Sequence, residues 1–237
     1  MRSLGVLVGL ALVVTGCSTV DSADIKTSGM TADLLVKLPE NADAVDVTAS
    51  FRVGNLTYVE LGSGENVEVS AEGKRQQLHR GKFAGATSYT GQLGVPKVSK
   101  GSKVEINFAL NRAGGNTSAP SSTVVLPEPV HLSQPVGGAK LSRRKDVQVT
   151  SASGPAQTLT WSGPCIQTGS LQIEPGRSST TIAAGLIRAT TPASAGTDTC
   201  QVEFLLSRHT TGRIDGAFKD GTIVAVAQSI HQVVSAP

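Results

Sequence analysis

The chain has 237 residues, with 21 Lys+Arg against 18 Asp+Glu and a formal net charge of +3; 16% of it is charged and 3% is aromatic. So small a basic excess does not hold a phosphate backbone, and five Phe, two Tyr and one Trp make no base-stacking surface, so nucleic acid is excluded as a partner. No run of 18 or more apolar residues is present to span a bilayer as a helix, and 39% hydrophobic content at near-neutral charge argues against wholesale disorder.

Taken from its start, the chain places one charge, Arg2, before an apolar run from Leu4 to Val14, then the small residues Thr15 and Gly16. A basic start, a short apolar core and small residues before a cut describe a secretory signal peptide, expected over residues 1–16. Val14-Thr15-Gly16-Cys17 resembles the lipobox of bacterial lipoproteins: an aliphatic residue, a small residue, Gly or Ala, then Cys. The resemblance implies cleavage after Gly16, a diacylglyceryl group on the Cys17 thiol and fatty acylation, palmitate for example, of its new amine. One acyl chain binds a membrane only reversibly, whereas three on one residue make a lasting anchor. Loss of Arg2 with the signal leaves 20 basic against 18 acidic side chains, so membrane attachment is expected to rest on Cys17 and not on bulk charge. In such lipoproteins an Asp after the Cys favours inner-membrane retention. Ser18 stands there, which by resemblance implies an outer-membrane anchor with the protein on the periplasmic or surface face. Residues 18–29 (STVDSADIKTSG) are polar and small, and 17–29 is expected to be the lipidated Cys followed by a flexible tether.

Setting Cys17 aside leaves Cys165 and Cys200. An exported chain meets an oxidising compartment, so this even remainder predicts a structural disulfide, stabilising by roughly 3–4 kcal/mol in the chain-entropy picture. A reactive or metal-binding pair would want a His beside it or a C-x-x-C spacing, and neither is present.

Beyond residue 29 the pattern alternates apolar and polar residues, with Gly, Pro, Asn or Ser between segments, so an all-β chain is expected. Strands are predicted around Ala44–Phe51, Val67–Ser70 (ended by Glu72-Gly73), Val104–Leu110, Asp146–Thr150, Gln157–Trp161, Gln201–Leu206 and Gly221–Val226. Alternation of this kind suits antiparallel sandwich strands with one face in a core and one in water. The halves also resemble each other. VEINFALNR (104–112) aligns with CQVEFLLSR (200–208), placing Phe108 on Phe204, Arg112 on Arg208 and Val104 on Cys200; STVVLPEPVH (122–131) aligns with TIVAVAQSIH (222–231). Val67–Ser70 is matched to Val147–Thr150. The pattern predicts a tandem duplication of one sandwich unit, residues 30–129 and 130–237. The join, VHLSQPVGGAKLSRRKDVQVT (130–150), resembles the start of bacterial immunoglobulin-like or fibronectin-type domains, in which a first strand, a Pro-Gly turn and a short polar strand precede strand B. The resemblance implies tandem immunoglobulin-like β-sandwiches. It departs from antibody domains in having Trp161 ahead of the first Cys, and Asp198 where a tyrosine corner has Tyr.

Chemistry is harder to find. His79, His131, His209 and His231 are scattered, no H-E-x-x-H or G-x-S-x-G occurs, and no metal or cofactor is expected. Asp215-Gly216 and Asp220-Gly221 read as turns, with too few carboxylates for calcium. Asn55-Leu56-Thr57 and Asn116-Thr117-Ser118 match the glycosylation sequon by chance. Trp161, Tyr58 and Tyr89 are too few for a sugar platform. Arg143, Arg144 and Lys145 form the one basic cluster, a candidate patch for anionic headgroups or an acidic partner, weighed against a solvated loop. The expectation is a non-enzymatic binding or structural module of the cell envelope, meeting the membrane through Cys17 and an envelope protein of unknown identity, with no evident small-molecule substrate. The alternatives are an accessory subunit of a secretion or assembly complex, or a hydrolase or inhibitor acting on envelope polymers. The last would need a pocket uniting two or more of Glu60, His79, Asp198 and Asp215.

Overall fold

The computed structural model describes residues 18–83, 85–190 and 199–237. Cys17 and the whole segment expected as a signal peptide lie outside the described residues.

The first half contains β1 (Ser18–Asp21), β2 (Thr31–Pro39), β3 (Ala44–Val53), β4 (Thr57–Glu60), β5 (Asn66–Ala71), β6 (Lys74–Gln77), β7 (His79–Phe83), β8 (Ala86–Gly94), β9 (Glu105–Asn111) and β10 (Ala119–Val125). Period-two patterning drives them: β3 buries Val45, Val47, Ala49 and Phe51 and turns the residues between them outward. Between β5 and β6, Glu72 and Gly73 both take positive φ, 47° and 79°, the mirror-image turn whose twist matches a tight hairpin. The strands pair in the order β2-β3-β8-β7 in one sheet and β10-β9-β5-β6 in the other. That is the A-B-E-D and G-F-C-C′ arrangement of an immunoglobulin-type sandwich.

The second half contains β11 (Leu132–Gln134), β12 (Lys140–Ser142), β13 (Val147–Ser151), β14 (Gln157–Gly163), β15 (Ile166–Ile173), β16 (Ser179–Ile182), β17 (Cys200–Thr211) and β18 (Asp220–Ala236). One sheet is β11-β13-β16; the other runs β18-β17-β14-β15, with β12 parallel to the end of β18. The first strand, the turn, the short polar strand and the strand after it follow each other as the sequence of 130–150 implies.

The halves are joined edge to edge. β18 runs parallel to β2, in register from Asp220 opposite Thr31 to Gln228 opposite Pro39. The same strand pairs antiparallel with β17 over Val224–Ser235. One sheet therefore crosses from the first sandwich into the second. The β17–β18 connection completes the joint: Phe218, 8% exposed, stacks on Phe51 with ring centroids 5.8 Å apart, Lys219 N–H donates to Met30 O, and Thr123 and Arg213 exchange backbone hydrogen bonds.

Two sequence expectations are corrected. Residues 18–29 are not a loose tether. Ser18–Asp21 pairs in parallel with β4, two 3-10 turns follow at Ser22–Asp24 and Thr27–Gly29, and Ser22 and Thr27 are buried. Polar composition misled here because the pairing groups are backbone and the burial is of hydroxyls with partners. The repeat register also needs one change: Val67–Ser70 lies in β5, which pairs β9, whereas Val147–Thr150 lies in β13, which pairs β11 and β16. The equivalent of β5 is β14. Two-residue periodicity is common to every strand and so cannot by itself align them. The β9/β17 and β10/β18 matches are structurally equivalent.

The joint leaves no room at Gly221, where an added Cβ would meet the Ala32 carbonyl oxygen well inside contact distance, while at Gly216 it would meet nothing within 4 Å. Gly221→Ala is expected to lower unfolding free energy by about 1–3 kcal/mol through overpacking, and Gly216→Ala to change it little, as read from urea midpoints. Equal midpoints for the two variants would contradict the ladder at this position.

Candidate binding site at the junction of the two sandwiches

The two arginines that align in the sequence repeat do matching work. Arg112 follows β9, which carries Phe108, and Arg208 lies within β17, which carries Phe204; each reaches across to the segment that leads into its own sandwich. Arg112 has a fully buried side chain. Its Nε donates to Glu65 Oε1 (2.7 Å), Nη1 to Thr27 Oγ1 (3.1 Å), and Nη2 to the carbonyls of Ser22 (2.7 Å) and Ile25 (3.0 Å). Glu65 also accepts from the Ser22 hydroxyl and from Ala113 N–H. Burial alone would raise the Glu65 carboxyl; the Ser22 and Arg112 hydrogen bonds outweigh it and hold the carboxyl below its ordinary range. This cluster is what folds residues 18–29 onto the body.

Arg208 is 5% exposed and donates to the carbonyls of Glu128 and Pro155, both at 3.2 Å, with the Glu128 carboxylate 3.6 Å away. Its guanidinium lies against the backbone of Gly154, where a Cβ would stand 2.6 Å from Nη2. Unlike Arg112, it keeps a buried N–H, Nε, with no acceptor. Desolvation lowers its pKa, and the Glu128 charge opposes that; the group remains a cation. Arg208 lines a cleft of about 410 Å³ between the connecting segment, Leu126 to Glu128, and the β14–β17 face, with Pro155 and exposed His209 at its walls. A desolvated cation beside leucine and proline surface suits a ligand bearing a carboxylate on an apolar body. The sequence singled out Arg208 only as a repeat match. Its alignment with Arg112, a charged residue at a core-facing position in both halves, was the signal that marks it.

The other predicted residues fall apart in space. Cys165, in the β14–β15 turn, and Cys200, at the start of β17, are disulfide-bonded with Cα atoms 6.1 Å apart. The bond links neighbouring strands of one sheet, not the two sheets, which is why Trp161 on β14 precedes the first Cys. Trp161 is buried and lies over Gly169, where a Cβ would collide with the indole. Of the basic cluster, Arg143 is turned inward to Ser235, with Nη1 donating to Oγ at 3.1 Å, while Arg144 and Lys145 are exposed.

His131 meets Glu40 across the halves, and Glu40 also accepts from the Ser229 hydroxyl. Burial would raise Glu40, but those two partners lower it. His231 Nδ1 donates to Pro135 O at 2.7 Å. His79 lines a depression of about 310 Å³ with Glu65, Arg80 and Tyr89; Glu60 and Asp215 are not in its wall. Glu60 is bound to Arg80 and Lys82, and Asp215 accepts from Ser121 and from Ala217 N–H. Burial would raise the Asp215 carboxyl, and these bonds lower it. Asp198 lies outside the described residues. Among the described residues, no group of three or more His, Cys, Asp or Glu could hold a metal ion.

No protein-family model matches the chain, and no curated protein matches it. Among solved structures, the chain is similar to the titin domains z1z2 in complex with telethonin, at 14% identity over 88% of this chain and 99% of that one with a TM-score of 0.24. It is also similar to fibronectin(III)-like modules of Clostridium thermocellum CbhA, at 11% identity over 87% and 93% with a TM-score of 0.26. Superposition this loose carries no argument; the immunoglobulin-type assignment stands on strand order and pairing.

Replacing Arg112 by Ala strands a buried carboxylate and is expected to cost about 3–5 kcal/mol. The double variant Arg112→Met/Glu65→Leu is expected to recover much of that; a double variant no more stable than the single one would contradict the pairing. Stability is also expected to depend on acid. Glu40, Glu65 and Asp215 have folded pKa values below their ordinary ones, so the unfolded chain binds more protons as pH falls, and their contribution, full above about pH 5, is lost through the carboxylate range and below. Urea midpoints that do not fall between about pH 6 and pH 3 would contradict this.

Proposed function

We propose that the chain is an exported bacterial lipoprotein, anchored to the outer membrane through lipid on Cys17, that serves as a non-catalytic binding or structural module of the cell envelope. The reading is supported first by the Val14–Cys17 motif, which immediately precedes β1 in the sequence. The second support is the body itself: two immunoglobulin-type sandwiches are compatible with a binding or structural role, although fold alone does not fix function. The junction cleft around Arg208 is the recognition surface this reading assigns.

Expressed with its signal in a Gram-negative bacterium, the protein is expected to partition into the detergent phase, and its N-terminal peptide to have the mass of acylated Cys17. Cys17→Ser is expected to move it to the aqueous phase. A wild-type protein in the aqueous phase with an unmodified Cys17 overturns the anchor. In-cell crosslinking from Thr158→Cys, at the cleft wall, is expected to capture an envelope protein, with Arg208→Met reducing that capture.

A further inference from the structure

Ser18 is the first residue of β1 and pairs with Thr57 at the start of β4, their hydroxyl oxygens 2.9 Å apart. β1 and β4 run parallel, so the end of the ladder at which residue 17 attaches is the end at which the β3–β4 turn stands. Adjacent Cα atoms are about 3.8 Å apart and neighbouring strands about 4.8 Å, so a lipid on residue 17 leaves the body within about one strand spacing of that turn. At the turn is Leu56, 63% exposed and the most exposed of the large apolar side chains among the described residues. Turn tips ordinarily carry Gly, Asn, Asp or Ser, and Gly54 and Asn55 comply; leucine does not. Beneath the turn, Arg52 donates to Asn55 O and pairs with Asp33 at 2.6 Å, so the tip is held on a neutral, ordered base.

Resting on the reading of Cys17 as the lipid-bearing residue, we infer that Leu56 is a second membrane contact: the β3–β4 turn dips into the interfacial region of the bilayer beside the acyl chains. Two attachment points one strand apart restrict how the body can tilt on the membrane. A long tether would let the body tumble; β1 forbids that, because its four residues are part of the sheet.

The test uses the lipoprotein purified in detergent and reconstituted into phosphatidylethanolamine and phosphatidylglycerol vesicles. Amide exchange over residues 53–58 is expected to slow about tenfold relative to the aqueous Cys17→Ser protein, as for amides withdrawn from bulk water. The turn at Ala183–Leu186, whose Leu186 is also exposed at 48%, serves as the control and is expected to be unchanged. Leu56→Asp is expected to restore fast exchange at 53–58 while the protein stays on the vesicles. If residues 53–58 exchange equally fast with and without vesicles, or if the control turn slows equally, the inference is overturned. The mass of the N-terminal peptide separates the two levels. An unmodified Cys17 removes both this inference and the anchor; an acylated Cys17 with unchanged exchange removes this inference alone.

Discussion

The parallel ladder between β2 and β18 is the constraint on which the rest of the architecture depends. A two-sheet sandwich leaves its first and last strands as open edges, each a row of unpaired backbone groups that invites unwanted pairing. Here the first strand of one sandwich and the last strand of the other close on each other over nine residue pairs. The joint also explains the length of β18: its first part serves the partner sandwich, its middle serves β17, and its end receives β12. Phe218 on Phe51 adds apolar burial at the same seam.

Within that frame the repeat has diverged at the two equivalent arginines. Arg112 has become wholly structural, with every nitrogen engaged and a buried carboxylate opposite. Arg208 holds the connecting segment and lines a cleft, while its buried Nε has no acceptor. Burying a cation costs several kcal/mol unless hydrogen bonds and a counter-charge repay it. The fully paired site is the one that holds residues 18–29, and the other is the one that borders a cleft. The disulfide follows the same division of labour. Cys165–Cys200 ties the β14–β15 turn to the start of β17 within one sheet, leaving the centre of the second sandwich to Trp161, Phe204 and Leu159.

Much of this was legible in the residues. The alternation in β3, β9, β13, β14, β17 and β18 is strong because each packs one face on a core, so side-chain period reports strand directly. Cys165 and Cys200 were the two left to pair once Cys17 was set aside. Strands that bury little, such as β15 and β6, carry no such pattern; β15 buries only Ile166 and Ile173 of its eight residues. β1 is as short as β6, and only its partner β4 makes it a strand.

By itself, then, the sequence determined that the chain is all-β, that it is built from two related units, which cysteines remain to pair, and that its start carries a lipoprotein-like motif. Those properties are written in side-chain type and spacing. Tertiary structure alone decided that the two units share a sheet, that residues 18–29 belong to the fold, and that Arg208 and Leu56 stand where they do. Backbone hydrogen bonds between edges have no side-chain signature, and an arginine's role depends on which carbonyls the fold brings to it.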